Sequence, residues 1–242
     1  MRKKALAAKL TILASFIVPV TAYAVYPDHL ITVIVPFPPG GSVDPVARLV
    51  VDQIRKDLAG EVIVLNKPGA GGILGTTDVA NAKPDGYTLG LVTVGPLTSQ
   101  PHLRSTVKYN ADSFEYICRT HVTPQVFAVA TDSPYKSLKE LVNDAKKHPG
   151  KITMASQGVG SIPHLASNKF AEIAGFEWTH VPTKGDGEAV VLAASGNITG
   201  WVAGIQSYIP MSSRLRTLGL LEAERSPLYP DIPTFKEQGY NV

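Results

Sequence analysis

Four short glycine-rich segments hold the residue types best suited to chemistry: Gly40-Gly41-Ser42, Gly69-Ala70-Gly71-Gly72, Gly158-Val159-Gly160-Ser161 and Gly185-Asp186-Gly187. Glycine lets a backbone come close to a ligand. Each segment also precedes a stretch with helical character, where unpaired N–H groups and the positive end of a helix dipole face outward. Gathered at one place, such donors suit a small anion, most simply a carboxylate. Left apart, they are ordinary turns.

Catalytic patterns compete weakly with this reading. Gly69-Ala-Gly71-Gly72-Ile-Leu-Gly75 is one residue longer than a dinucleotide fingerprint. Pro68 enters it, and the next strand opens Tyr87-Thr88-Leu89, without an early acidic residue. There is no G-x-x-x-x-G-K-[ST] and no G-x-S-x-G elbow. The histidines His29, His102, His121, His148, His164 and His180 form no H-E-x-x-H or i, i+4 pair, so no metal and no cofactor are expected. His164, one turn into a helix beside Gly158–Ser161, could touch a ligand, cap that helix or be packed. Ser42 and Ser161 are the candidate nucleophiles of a secreted α/β hydrolase. Neither has a base near it in sequence, which favours a ligand contact or a helix cap. A Ser–His hydrogen bond in the cleft would mark the hydrolase; backbone donors without one would mark a binding protein.

Alternating strands and helices must position these segments. Leu30–Pro36 reads as a buried strand. Asp44 is expected to cap a helix with Pro45 at its first position and Val46, Leu49, Val50, Ile54 and Leu58 as its apolar stripe. Val62–Leu65 is a second strand, about Ile73–Ala82 a helix and Tyr87–Val94 a third strand. The same grammar follows in Val126–Ala130, a capping box at Ser137-Leu-Lys-Glu140, Ile152–Ala155, a helix with Leu165, Phe170 and Ile173 inward, Trp178–Val181, a helix through Ala194, Ile198–Ala203 and Leu215–Leu220. A short helix is expected around Thr234–Gln238. Crossovers near 117–125 and 214–221 would join two α/β lobes.

Composition narrows the class. The 242 residues are 44% hydrophobic and 18% charged, an ordinary globular balance. The formal charge of +3 resides in the N-terminus, where Arg2, Lys3 and Lys4 precede an apolar run and Ala22-Tyr23-Ala24 offers a signal-peptidase site. Cleavage after Ala24 removes four of the 23 Lys+Arg and none of the 20 Asp+Glu, leaving −1. No basic domain remains, so nucleic acid is disfavoured. The single Cys, Cys118, lies in an apolar-rich run and is expected to be packed.

Several motifs together resemble the Bug (TctC-type) receptors, the periplasmic solute-binding proteins of tripartite tricarboxylate transporters. They are Ile34-Val-Pro-Phe-Pro-Pro-Gly-Gly-Ser-Val-Asp44, Asn66-Lys-Pro-Gly-Ala-Gly-Gly72, Lys83-Pro-Asp-Gly-Tyr-Thr-Leu89, Gly158-Val-Gly-Ser-Ile-Pro-His164, Val181-Pro-Thr-Lys-Gly-Asp-Gly187 and Tyr229–Tyr240, in the family's order. The resemblance implies an α/β, two-lobed periplasmic-binding-protein type II fold. Each lobe would be a mostly parallel sheet flanked by helices, with a ligand cleft between the lobes. It also implies a non-catalytic receptor for a small organic carboxylate, located in the periplasm and partnered by the transporter's membrane components. Carried over residue by residue, one end of the ligand would meet Phe37, Gly40, Gly41, Ser42, Gly69, Ala70, Gly71 and Gly72, through backbone N–H groups and bridging waters. The other end would meet Gln157, Ser161, His164 and Lys184.

With residues 1–24 read as signal peptide, the expected division is 25–120 with 219–242 as the first lobe and 121–218 as the second. Family chains continue well past the Tyr229–Tyr240 motif, whereas this one stops at Val242. The first lobe is therefore expected to be incomplete, with apolar surface open and closure weakened. Some members place Asp or Asn after the strand at 198–203 to hold a ligand amino group. Ala203 and Gly204 stand here, with Gln206 beyond, so a ligand without an ammonium group is expected.

Overall fold

The computed structural model describes residues 26–242, and the expected signal peptide lies outside them. The first lobe is a three-stranded parallel sheet in the order β2-β1-β3, from β1 (Ile31–Val35), β2 (Val62–Asn66) and β3 (Thr88–Gly90). In β1, Ile31, Val33, Ile34 and Val35 are all buried, as in a strand covered on both faces. Helices α1 (Asp44–Leu58), α2 (Ile73–Ala80) and α3 (Val94–Leu103) complete the lobe.

Three local expectations change here. The first residue of α1 is Asp44, and its carboxylate makes no helix cap. It accepts instead from Arg48, from Asn66 Nδ2 (2.9 Å) and from the N–H of Gly40 (3.2 Å). With Asp44 anchored inward, α1 buries Ala47 and Val51, and Leu49 is 72% exposed. The third strand is shorter than expected, because Val94 opens α3. That helix lacks an N-cap side-chain bond and has Pro101 inside it, so neither capping nor propensity announced it. Cys118 is exposed, not packed.

The second lobe has five strands in the order β6-β5-β7-β4-β8: β4 (Gln125–Ala130), β5 (Ile152–Ser156), β6 (Trp178–Pro182), β7 (Gly200–Gly204) and β8 (Leu215–Leu220). β5 runs parallel to β6 and β7, whereas β4 is antiparallel to β7 and β8, so this sheet is mixed. Helices α4 (Leu138–Lys147) and α5 (Ile162–Ala174) lie on one side, and α6 (Asp186–Ala194) and α7 (Ile205–Tyr208) on the other. Ser137 caps α4 as expected, but the Glu140 carboxylate reaches the N–H of Lys136. In α5, Phe170 is buried and Ile173 is 38% exposed.

The C-terminal stretch corrects the expected lobe assignment. Residues 221–242 pack on the second lobe. Phe235 lies in the core with Phe127 and Phe170, and Thr234 bridges Leu220 in parallel. The expected helix at 234–238 is a set of turns, closed by Glu237 N–H on Thr234 Oγ1 and Thr234 N–H on the Glu237 carboxylate. Among the described residues no helix is long and apolar enough to cross a membrane.

Candidate functional site

All four glycine segments follow parallel strands: the first two come after β1 and β2, and Gly158–Ser161 after β5. The fourth, Gly185–Gly187, follows β6. Strand carboxyl ends with helices starting beyond them are where open α/β sheets hold ligands. The lobes meet there. Ser42 Oγ donates to the Asp186 carboxylate (2.6 Å), Gln100 Nε2 to the carbonyl of Val159 (3.0 Å), and Ser99 Oγ to the carbonyl of Gly160 (2.9 Å).

Backbone geometry decides which N–H groups are free. That of Gly40 is used by Asp44, and that of Gly72 by the carbonyl of Gly69 (3.0 Å). Among the described residues, no hydrogen bond uses the N–H of Gly41, Ser42, Ala70 or Gly71. Gly71 has φ 67°, and a Cβ there would stand 3.1 Å from Gln100 Nε2 of its own lobe and 3.7 Å from the Val159 carbonyl of the facing lobe, so both strain and close neighbours favour glycine. Gly72, with φ 94°, packs directly on Phe37 and Pro96.

Phe37, Ser42, Gly71, Gln157 and Ser161 line one cleft of about 1190 Å³, which widens past β3 towards residues 112–123. Phe37, Gly41, Ser42, Gln157 and Lys184 line a second cavity of about 260 Å³ together with Asp186. Gly40, Gly69, Ala70, Gly72 and His164 line neither. The Lys184 side chain is exposed, and the backbone N–H of Lys184 donates to the Glu188 carboxylate (2.9 Å).

The two candidate nucleophiles have other partners. Ser42 is bound to Asp186. Ser161 caps α5 through the N–H of His164 (3.4 Å) and donates to Ser156 Oγ (3.4 Å). A Ser–His hydrogen bond does exist, between Ser156 Oγ and His180 Nε2 (2.8 Å). Ser156 is only 1% exposed, and among the described residues no carboxylate backs the His180 ring. The arrangement is a buried polar contact and not a triad.

Sequence reasoning placed Asp186 in a glycine segment without giving its side chain a role, and it gave none to Ser156, His180 or Gln100. Asp186 begins α6, is 2% exposed, and accepts from Ser42, Gln157 Nε2 (2.7 Å) and Ser207 Oγ (3.3 Å). Burial pushes its carboxyl above the usual range, against the pull of those three bonds. Burial, then the neighbouring His164 ring 4.3 Å away, brings His180 down to about 4. Burial also lowers His164. Burial opposes the charge on Asp44, but the bonds from Arg48, Asn66 and Gly40 outweigh it and hold the carboxyl low. Among the described residues, no group of three His, Cys, Asp or Glu could hold a metal.

Two α/β lobes facing each other across a cleft of loop donors define a two-lobed solute-binding architecture. Residues 46–242 match the tripartite tricarboxylate transporter family receptor, and the chain belongs to that family. A protein encoded in the tcbD-tcbE intergenic region of Pseudomonas sp. strain P51 is 34% identical over 215 residues, covering 88% of this chain. The chain spans 64% of that relative's length. BugT of Bordetella pertussis is 33% identical over 89% of this chain and 67% of its own. Among solved structures, one described as a periplasmic transporter superposes with a TM-score of 0.84 at 36% identity, over 90% of this chain and 74% of that one. MatC of Rhodopseudomonas palustris with bound malate gives 0.83 at 29%, over 90% and 76%. A second R. palustris protein, solved with adipate, gives 0.79 at 26%, over 89% and 73%. The family is one of receptors and not of enzymes, and similar proteins are periplasmic.

Proposed function

We propose that this chain is a periplasmic receptor that captures a small organic carboxylate for a tripartite tricarboxylate-type transporter, after export and removal of residues 1–24. The observation that carries the reading is the set of unused N–H groups at Gly41, Ser42, Ala70 and Gly71, on two loops of one lobe that face the second lobe. A carboxylate would accept charge-assisted bonds from these donors, each contributing on the order of 1.5–3 kcal/mol. Relatives solved with malate and adipate support this ligand class. Of the residues implied by resemblance, Phe37, Gly41, Ser42, Ala70 and Gly71 would hold the carboxylate, with Gly69 and Gly72 shaping the loop. Gly40 serves Asp44 and acts indirectly. Gln157 and Ser161 would face the ligand from the second lobe, His164 would stand behind them, and Lys184 would lie at the rim.

The open form would bind the anion on the first lobe, and closure would add contacts from the second. The closed shape would then be recognised by the membrane components. No catalysis and no cofactor enter this cycle. The hydrolase alternative has no support, because Ser42 and Ser161 are bound elsewhere. The test is thermal melting of the purified protein against a panel of carboxylates that includes malate, adipate and citrate. A saturable rise in Tm is expected for at least one, since a ligand that binds the folded state stabilises it by mass action. No shift with any carboxylate would overturn the reading.

A further inference from the structure

Among the described residues, Asp186 is the buried acidic side chain on the cleft wall that has no cationic partner. It is 2% exposed and makes no ion pair among the described residues, and its three partners are neutral donors. A carboxylate offers about four lone-pair positions. Oδ2 takes the Ser42 and Ser207 hydroxyls and Oδ1 takes the Gln157 amide, so Oδ1 keeps an acceptor position free. The cavity beside it has Lys184 and Glu188 on its wall. The Lys184 side chain is exposed, and Glu188 carries a second negative charge. A second acceptor lies nearby. Gln206 Oε1 is buried with no donor, next to Gly204, a residue that the Ser42 side chain also approaches. The two side chains that steady Asp186, Ser42 from across the cleft and Gln157 from its own lobe, also line the larger space that Gly71 lines.

A buried charge without a counter-charge is costly, and a second anion brought beside it costs more. A cationic group beside it reverses that sign.

We propose that Asp186 determines specificity: the carboxylate taken by this cleft also carries a protonated nitrogen, which binds Asp186 while the carboxylate lies on the Ala70–Gly71 loop. This rests on the receptor reading above. It reverses the expectation drawn from Ala203 and Gly204, because the acid sits at the start of α6 and not after β7. The ligand class is a zwitterionic amino acid or amino-substituted acid.

The test is calorimetric titration of the intact protein with matched pairs: aspartate and succinate, glutamate and glutarate, 4-aminobutyrate and butyrate. The nitrogen-bearing member of at least one pair should bind more tightly than its partner. Asp186→Asn should weaken that member by roughly thirtyfold or more, while its nitrogen-free partner holds or gains. Asp186→Ser is the second variant should the first fail to fold. Tight binding of the plain acids with no preference for nitrogen overturns this inference and leaves the receptor reading intact. Equal weakening of both members in the variants shows Asp186 to be only a latch between lobes, and also overturns it. Binding of neither member of any pair, nor of malate, adipate or citrate, overturns the receptor reading and this inference with it.

Discussion

The two lobes bring different materials to the cleft. The first is thin: three strands, with Ile31, Val33, Val51 and Val62 as one small core and Val35, Phe37, Val43 and Ala47 as another. Its contribution to the cleft is mostly backbone. The second has five strands and two larger cores, one built around Phe127, Phe170 and Phe235 in edge-to-face contact. It carries the polar side chains Gln157, Asp186, Ser156 and His180. The difference teaches that holding side chains at fixed distances takes a deep core, because each buried polar group must be matched by partners. Backbone donors need only the right turn.

The largest effect should come from the heavy core. Phe127→Ala removes a fully buried ring and should cost about 3–5 kcal/mol of stability, measured by urea unfolding. Ile31→Ala in the thin lobe should cost about 2–3 kcal/mol, and should also separate the two transitions. Both tryptophans, Trp178 and Trp201, lie on β6 and β7 of the second lobe. In Ile31→Ala the circular-dichroism transition should therefore begin before the fluorescence one. Coincident curves would mean that the lobes unfold as one unit and would break the contrast.

Gly71→Val tests the backbone side of the comparison. With a β-branched side chain at φ 67° facing Gln100, it should remove about 3 kcal/mol of carboxylate binding, read as loss of the ligand-induced Tm shift.

His180 tests the side-chain lobe. Folding lowers its pKa from 6.5 to about 4, so the unfolded chain takes up a proton that the folded chain refuses in that window. The stability this holds is full above 6.5 and is lost as pH falls towards 4. It amounts to on the order of 2 kcal/mol after allowance for the ring's partial exposure. Asp186 works in the opposite sense: its raised carboxyl favours the folded state below 3.8, a contribution lost as pH rises. Melting His180→Gln beside the parent protein from pH 7 to 4 isolates the histidine, and the variant should show the shallower decline.

The smallest effect belongs to Lys67→Ala. Lys67 is half exposed and pairs with Asp78 away from the cleft, so stability should change by less than about 0.5 kcal/mol and ligand binding not at all. A greater loss of binding here than in Gly71→Val would refute recognition by backbone.

The amino-acid sequence by itself determined what is local. Continuous apolar runs gave parallel strands at Ile31–Val35 and Ile152–Ser156, because a strand covered on both faces needs them. Ser137 was legible as a cap, Ser161 as either a cap or a ligand contact, and the glycine segments as turns at strand ends, since each depends on only a few neighbouring residues. Helix α3 was hidden, because its fit comes from packing on α2 and α5 and not from its own propensity. Only the tertiary structure decided which N–H groups stay free: the N–H of Gly40 is taken by Asp44, the aspartate expected from sequence to cap α1. It also decided which lobe the last residues join, through Phe235 against Phe127. Above all it placed Asp186 in the cleft, against a serine 144 residues away. Periodicity and turn chemistry report short-range preferences, whereas contact between two loops of different lobes depends on how both sheets stack and twist, which no short window of sequence contains.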